Sequence, residues 1–174
     1  MERRNTNGSK KQESRFLAAY EQYADSIFRF VYYKTSNREQ ALDISQEVFT
    51  KAWDKAVKGE EIREFKPFLY KIAHNLVIDY YRKRKNVSLD EMMSEQGFDV
   101  PYQGHVKAHT SAESRIVLES VSLLDKKYGE IVTMRYVHDL SPREIAVIIG
   151  ETENVVSVRL NRALKMLREQ LHIT

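Results

Sequence analysis

The chain has 174 residues, 42% apolar and 30% charged, with 6 Gly, 3 Pro, no Cys and a formal net charge of +3. That length allows one or two small domains with a modest core each, and the absence of Cys excludes disulfides and thiolate metal sites and fits a reducing cytoplasm. No apolar run approaches the roughly 20 residues that span a bilayer, so no membrane insertion is expected, and mild basicity alone says little about nucleic acid until the charges are located.

Met1 to Ser14 is polar and basic with no apolar core, unlike a secretory signal, and is expected to be a disordered tail. From Phe16 to about Lys34, Phe16, Leu17, Tyr20, Ala24, Ile27, Phe28, Val31 and Tyr32 recur at steps of three and four, which predicts a first helix. Ser36 or Asn37 offers an N-cap, with Glu39 or Gln40 three residues on. The second helix then runs to about Ala56 on a stripe of Ala41, Leu42, Val48, Ala52 and Ala56, flanked by Ile44, Phe49 and Trp53. Val57 to Lys66 is polar, contains Gly59 and reads as a loop. Pro67 suits the first turn of a third helix, where its missing N–H costs little. That helix has Phe68, Leu69, Ile72, Ala73, Leu76, Val77 and Tyr80 on its inner side and ends in Arg82, Lys83, Arg84 and Lys85. Three such helices can close one small bundle.

Asn86 to Ser111 holds Gly97, Pro101 and Gly104 and few paired apolar positions, although Ser88 and Glu91 could cap a short turn. It reads as a linker of about 25 residues, able to span roughly 80–90 Å when extended. Thr110 and Glu113 form a capping-box pattern. Ile116, Leu118, Val121 and Leu124 predict one helix, and Tyr128, Ile131, Val132, Met134, Arg135 and Tyr136 the next. Ser141-Pro142-Arg143-Glu144 is a full helix start, with Ser at the N-cap, Pro at the first position and Glu at the third. Gly150 suits a left-handed C-cap, and a turn of about three residues leads into a last helix from Glu153 to Leu171. This is a helix-turn-helix with its last helix in the recognition position. The expected fold is all-α: a tail over 1–14, a helical bundle over 15–86, a flexible linker over 87–111 and a second bundle over 112–174.

Three constellations bear on function. On the last helix Val156, Leu160, Ala163, Leu164 and Leu167 form an inner stripe, leaving Asn154, Ser157, Arg159, Asn161, Arg162 and Lys165 outward. Asn can pair with adenine edges, Arg with guanine edges or phosphate, and Lys with phosphate. Ser141 and Arg143 start the preceding helix, whose exposed N–H groups can also meet a phosphate. Lys71, Asn75, Asp79 and Arg82 align on the third helix beside the basic run, with Phe65, Phe68, Tyr70, Tyr80 and Tyr81 nearby, a composition suited to phosphates and unpaired bases. Asp43, Gln46, Glu47, Thr50 and Asp54 share an acidic stripe on the second helix, which phosphate would repel and which points to a protein partner with a basic groove. Each of the three also has a plain structural reading as a solvated face. There is no phosphate-binding Gly loop, nucleophile elbow or HExxH. His105 and His109 lie in the linker, and His74 and His138 read as packing or surface residues. No catalytic residue, metal or cofactor is expected.

These residues resemble a known family. The stretch ALDISQEVFTKAW is similar to the polymerase-binding segment of the extracytoplasmic-function (ECF) sigma factors of the sigma-70 family. FKPFLYKIAHNLVIDYYRKRK is similar to their promoter-melting, minus-ten-reading segment, and DLSPREIAVIIGETENVVSVRLNRALKMLREQL to their minus-thirty-five helix-turn-helix. The resemblance implies a cytoplasmic, non-enzymatic sigma factor whose partners are core RNA polymerase, promoter DNA and, as a candidate, an anti-sigma factor. It places Asp43, Gln46, Glu47, Thr50 and Asp54 against the clamp of the largest polymerase subunit, with Phe49 and Trp53 packing inside the bundle. The C-terminal domain would meet the flap region. For the minus-ten element it implies Lys58, Arg63, Lys71, Asn75, Asp79, Arg82, Lys83, Arg84 and Lys85, with the loop from Lys58 to Glu64 capturing a flipped base. For the minus-thirty-five element it implies Ser141, Arg143, Thr152, Asn154, Ser157, Arg159, Asn161, Arg162 and Lys165. The chain departs from the family where Asn154-Val155 and Ser157-Val158 replace the usual Gly-Thr and Lys-Ser pairs, and where Glu60, Glu61 and Glu64 make the minus-ten loop acidic. Two other readings fit the same residues: a helix-turn-helix DNA-binding regulator, and a sigma-like adaptor that binds polymerase without reading promoters.

Overall fold

The computed structural model describes residues 6–89 and 120–171, and the regular elements among them are all helices. The chain divides into two compact units, one within 1–101 and one within 102–174.

The first unit holds α1 (Thr6–Thr35), α2 (Arg38–Val57) and α3 (Phe65–Leu89), each packed on the other two. Ile27, Phe30 and Val31 of α1, Ala41, Val48, Ala52 and Ala56 of α2, and Leu69, Tyr70 and Ala73 of α3 are fully or almost fully buried. The small side chains of α2 let its neighbours approach, and the large ones fill the space between. Phe30 and Tyr70 meet edge to face with ring centroids 5.0 Å apart. Burying a side chain of that size contributes about 1.5–3 kcal/mol. Phe16 gathers a second aromatic group, 6.4 Å from Phe49, 5.2 Å from Trp53 and 6.5 Å from Phe65, so all three helices share it.

The connections follow local chemistry. Ser36 takes φ 52°, and its N–H donates to the Tyr32 carbonyl at 2.8 Å, which stops α1. Asn37 is the N-cap of α2 and accepts from the Gln40 N–H at 3.1 Å. At the far end Gly59 has φ 72°, Glu60 N–H reaches the Lys55 carbonyl and Gly59 N–H the Ala56 carbonyl, a Schellman closure.

Three expectations are corrected. The expected disordered tail over 1–14 is helical from Thr6, and Gln12 is buried beside Arg15. Extending a helix already nucleated by a buried face needs only one more bond per residue, which Lys10 to Glu13 favour. Leu42 was expected in the buried stripe and is 44% exposed, because the stripe continues through Ile44 and Ser45 instead. Leu17, Tyr20 and Tyr32, which share the helical spacing of α1, are also exposed. The helix of the basic run continues to Leu89, past the boundary expected at 86 and through Ser88. Glu91, the Thr110–Glu113 box, Ile116, Leu118, His105 and His109 lie outside the described residues.

The second unit holds a helical turn over 120–122, then α4 (Lys126–Tyr136), α5 (Pro142–Ile149) and α6 (Glu153–Gln170). Its core is Ile131, Met134, Leu140, Ile145, Ile148 and Val156, all at most 2% exposed, extended by Leu160, Ala163 and Leu167. The expected helix start is present in full. Ser141 Oγ accepts from Glu144 N–H at 3.2 Å, and Glu144 Oε2 accepts from Ser141 N–H at 2.7 Å. Gly150 has φ 75°, and Gly150 and Glu151 both donate to the Ala146 carbonyl. Thr152 caps α6 by accepting from Val155 N–H at 3.3 Å.

A Cβ at Gly150 would meet nothing within 4 Å, so Gly150→Ala is opposed by the backbone alone. It is expected to destabilise the second unit by about 1 kcal/mol. Gly150→Asn should cost less, since Asn tolerates that conformation better. Urea denaturation of the two variants checks both.

Candidate nucleic-acid interface

The rotation of α6 about its axis is set by Val156, Leu160, Ala163 and Leu167, which are all buried. The opposite face carries Asn154, Val158, Asn161, Arg162 and Lys165, all exposed, so the polar side chains expected outward share a surface. Ser157 and Arg159 sit lower on its flanks and are half-buried. The Arg159 guanidinium is 3.0 Å from the Glu151 carboxylate in the turn before α6, so part of its charge is already answered. Ser141 and Thr152 use their oxygens as caps for α5 and α6, which leaves each hydroxyl proton for a phosphate. Arg143 is exposed in the first turn of α5. Leu164, expected inside, is half-buried.

On the first unit, Lys71, Asn75 and Arg82 are exposed and Asp79 half-buried along one side of α3, followed by exposed Lys83, Arg84 and Lys85. Asp79 holds Arg82 at 2.9 Å, an exposed pair of small energetic weight that nonetheless orients the guanidinium. The aromatic neighbours divide. Phe65 and Tyr70 are buried in the core and unavailable to a base. Tyr81 donates its hydroxyl to the Lys34 carbonyl at 2.7 Å, and burial raises its pKa above the ordinary tyrosine value. That bond ties the C-terminal half of α3 to the end of α1 just before the basic run and so positions it. Its partners lie 47 residues apart, and no local pattern signals it. Phe68 and Tyr80 remain partly exposed, Phe68 under the Lys55 ammonium at 5.8 Å and Tyr80 against Arg84 at 5.8 Å.

The loop over 58–64 mixes Lys58 and Arg63 with Glu60, Glu61 and Glu64. Glu60 is bound by Lys55 at 2.8 Å, and that hydrogen bond and charge lower its pKa. The Arg63 carbonyl accepts from Arg15 Nη2 at 2.8 Å, while the Arg15 guanidinium lies 5.5 Å from the Phe65 ring centroid. Arg15 thus braces the loop from α1, a role the sequence reading did not assign.

Asp43, Gln46, Glu47, Thr50 and Asp54 are all exposed on α2, so the acidic stripe exists as a surface. Lys51 lies 3.3 Å from Glu47, and Thr50 turns its hydroxyl back to the Gln46 carbonyl, which leaves Asp43 and Asp54 with Glu47 to set the sign. Beside the stripe an open groove between α1 and α2 is lined by Tyr20, Ala24, Phe28, Leu42, Phe49 and Trp53. Trp53 was expected to pack inside the bundle. It does pack on Phe16, but it is 38% exposed and forms part of this wall. His74 is buried as a packing residue, and among the described residues no group of three His, Asp or Glu could hold a metal. No described helix is long and apolar enough to cross a membrane.

Comparison with known proteins gives the same partition. Residues 19–87 match the family model of Sigma-70 region 2, and residues 114–167 that of Sigma-70, region 4. The chain is 30% identical over 164 residues to the RNA polymerase sigma factor SigV of Bacillus subtilis, across 93% of this chain and 95% of SigV. It is 29% identical over 171 residues to the ECF RNA polymerase sigma factor SigW of the same organism, across 93% of this chain and 91% of SigW. Among solved structures, the sigma factor RpoE of Bartonella quintana, in complex with the anti-sigma factor NepR, is similar in fold with a TM-score of 0.65. The identity is 22%, over 91% of this chain and 97% of that one.

The Glu151–Arg159 pair gives a test of the α6 surface. Glu151→Gln frees the guanidinium and removes a negative charge, so affinity for duplex DNA should rise. The slope of log K against log salt should steepen by about 0.9, the value of one added phosphate contact. Fluorescence anisotropy across a salt series measures both.

Proposed function

The chain belongs to the ECF group of the sigma-70 family and directs promoter-specific transcription initiation, and on that premise we propose how its two units divide the work. The first unit, made of α1, α2 and α3, docks on core RNA polymerase through Asp43, Gln46, Glu47, Thr50 and Asp54 and holds the melted minus-ten strand. The second, over about 112–174, holds the duplex at the minus-thirty-five element through α5 and α6. The residues between act as a tether, which raises the effective concentration of the second contact once the first has formed. The activity is binding and positioning, performed in the cytoplasm without catalytic groups of its own.

The observation that carries this reading is the opposition of charge between α2 and the helices α3 and α6. The exposed stripe of α2 is acidic, while α3 carries Arg82, Lys83, Arg84 and Lys85 and α6 turns Asn154, Asn161, Arg162 and Lys165 outward. A surface that phosphate repels is suited to a basic protein groove, here the clamp of the largest polymerase subunit. The open apolar groove beside the stripe supplies the desolvated contact that such a face needs. Lys71, Asn75, Asp79 and Arg82, with Lys83 to Lys85, would line the path of the opened strand, and Lys58 and Arg63 the loop at its edge. Phe68 and Tyr80 are the ring faces left for stacking there. Ser141, Arg143 and Thr152 would meet phosphates around the upstream groove, and Ser157 and Arg159 its walls. The second unit would also touch the flap region of polymerase. RpoE of Bartonella quintana was solved bound to an anti-sigma factor. A regulator of that kind, competing for the α2 surface, fits this chain as well.

The plain helix-turn-helix regulator and the adaptor that ignores promoters are the readings this excludes by experiment. In transcription from a promoter library, the chain with core polymerase should give specific starts. Asp43→Lys with Glu47→Lys should abolish co-elution with core polymerase while circular dichroism and melting stay unchanged, because both side chains are exposed. Unchanged co-elution would show that another face docks.

A further inference from the structure

Resting on the placement of α6 in the major groove at the upstream element, we propose that Val158 reads the 5-methyl group of a thymine there. A lone exposed valine on a protein surface is ordinary and needs no explanation. Val158 differs by its position. Val156, Leu160, Ala163 and Leu167 are buried, and at 100° per residue Val158 falls on the pole opposite them, 41% exposed. It lies four residues after Asn154 and three before Asn161, so it sits in the middle of the reading stripe and in the half of the helix that approaches base edges. Val155 does not share this role: it is half-buried at the side of α6, with its N–H taken by Thr152.

The chemistry at that point is restricted. Valine has no donor or acceptor, and the thymine methyl is the apolar feature that base pairs present in the major groove. A β-branched side chain in a helix is held near one χ1 rotamer, so its methyls are already oriented and little freedom is lost on contact. Against a cytosine amino group or a guanine edge the same isopropyl group would cover a polar atom without pairing it, a penalty that disfavours those bases. Asn154 and Asn161, one turn to either side, can each take an adenine edge. The stripe is therefore suited to an element in which a thymine contributes its methyl and nearby adenines their N6 and N7.

The test uses the full chain with core polymerase. Selection from a promoter library defines the upstream element, and each of its thymines is then replaced singly by deoxyuridine, which removes the methyl and leaves pairing and charge unchanged. One position should lose about fourfold in promoter affinity, the worth of about one buried methyl. Val158→Ala should lose a similar factor on the thymine promoter and be indifferent to deoxyuridine at that position. The variant should fold, since the site is exposed and alanine is the better helix former. The proposal is overturned by a selected element without thymine, by uniform tolerance of deoxyuridine, or by a penalty that persists undiminished in Val158→Ala. Asn154→Ala and Arg162→Ala separate this from the broader reading. If they weaken specific starts while deoxyuridine is tolerated everywhere, only the role of Val158 fails. If they too change nothing, the placement of α6 fails with it.

Discussion

The burial of one face fixes the rotation of each helix, and that constraint governs where every functional side chain points. In α6, Val156, Leu160, Ala163 and Leu167 occupy the core of the second unit. A turn of α6 by one residue's angle would expose at least one of them and carry Asn154 and Lys165 off the outer pole. In α2, Ala41, Val48, Ala52 and Ala56 play the same part, and Asp43, Glu47 and Asp54 are outward as a consequence. The functional faces contribute little to stability themselves. They are held by apolar contacts on the other side of the same helix, which is why exposed charges can be exchanged there with little effect on folding.

The charges on those faces are tempered by pairing. Glu151 answers Arg159, Asp79 answers Arg82 and Lys51 answers Glu47, all at partly or fully exposed positions. Such pairs stabilise the fold by at most about 1 kcal/mol each. Their larger effect is on recognition: each restrains a long side chain and reduces the net field it offers to a partner. The other exposed cations, Arg162 on α6 and Lys83 to Lys85 on α3, attract phosphate over distance, and this is the part that salt would screen.

What the sequence made legible was local. The Ser141–Glu144 box, the Gly150 stop and the Asn37 cap each lie within a few residues of their partners, and the structure contains all three. The two-unit division and the acidic stripe follow from periodicity, which needs no tertiary information. The misses share a different cause. Leu42 and Trp53 are apolar and fall at helical spacing, but whether such a residue is covered depends on how near the neighbouring helix comes. The Tyr81–Lys34 and Arg15–Arg63 bonds span 47 and 48 residues. Phe65 and Tyr70 read as stacking platforms because composition cannot say which rings the core consumes. The helical stretch from Thr6 was missed because polar residues extend a helix only when a buried face downstream has nucleated it.

Three of the apolar residues left outside are informative because they are grouped. Tyr20, Leu42 and Trp53 border one groove between α1 and α2, and the acidic stripe runs along its edge. A purely charged face would speed encounter and suppress wrong partners but hold weakly in water, since exposed ion pairs are screened. A purely apolar groove would hold tightly but discriminate little and invite aggregation. Side by side, the carboxylates can orient an approaching basic helix and the aromatic walls can retain it, with Trp53 as the kind of large anchor that dominates such contacts. On the outer pole of α6 the balance is reversed: Val158 stands among polar side chains, so selectivity rather than retention is what an apolar contact can add there.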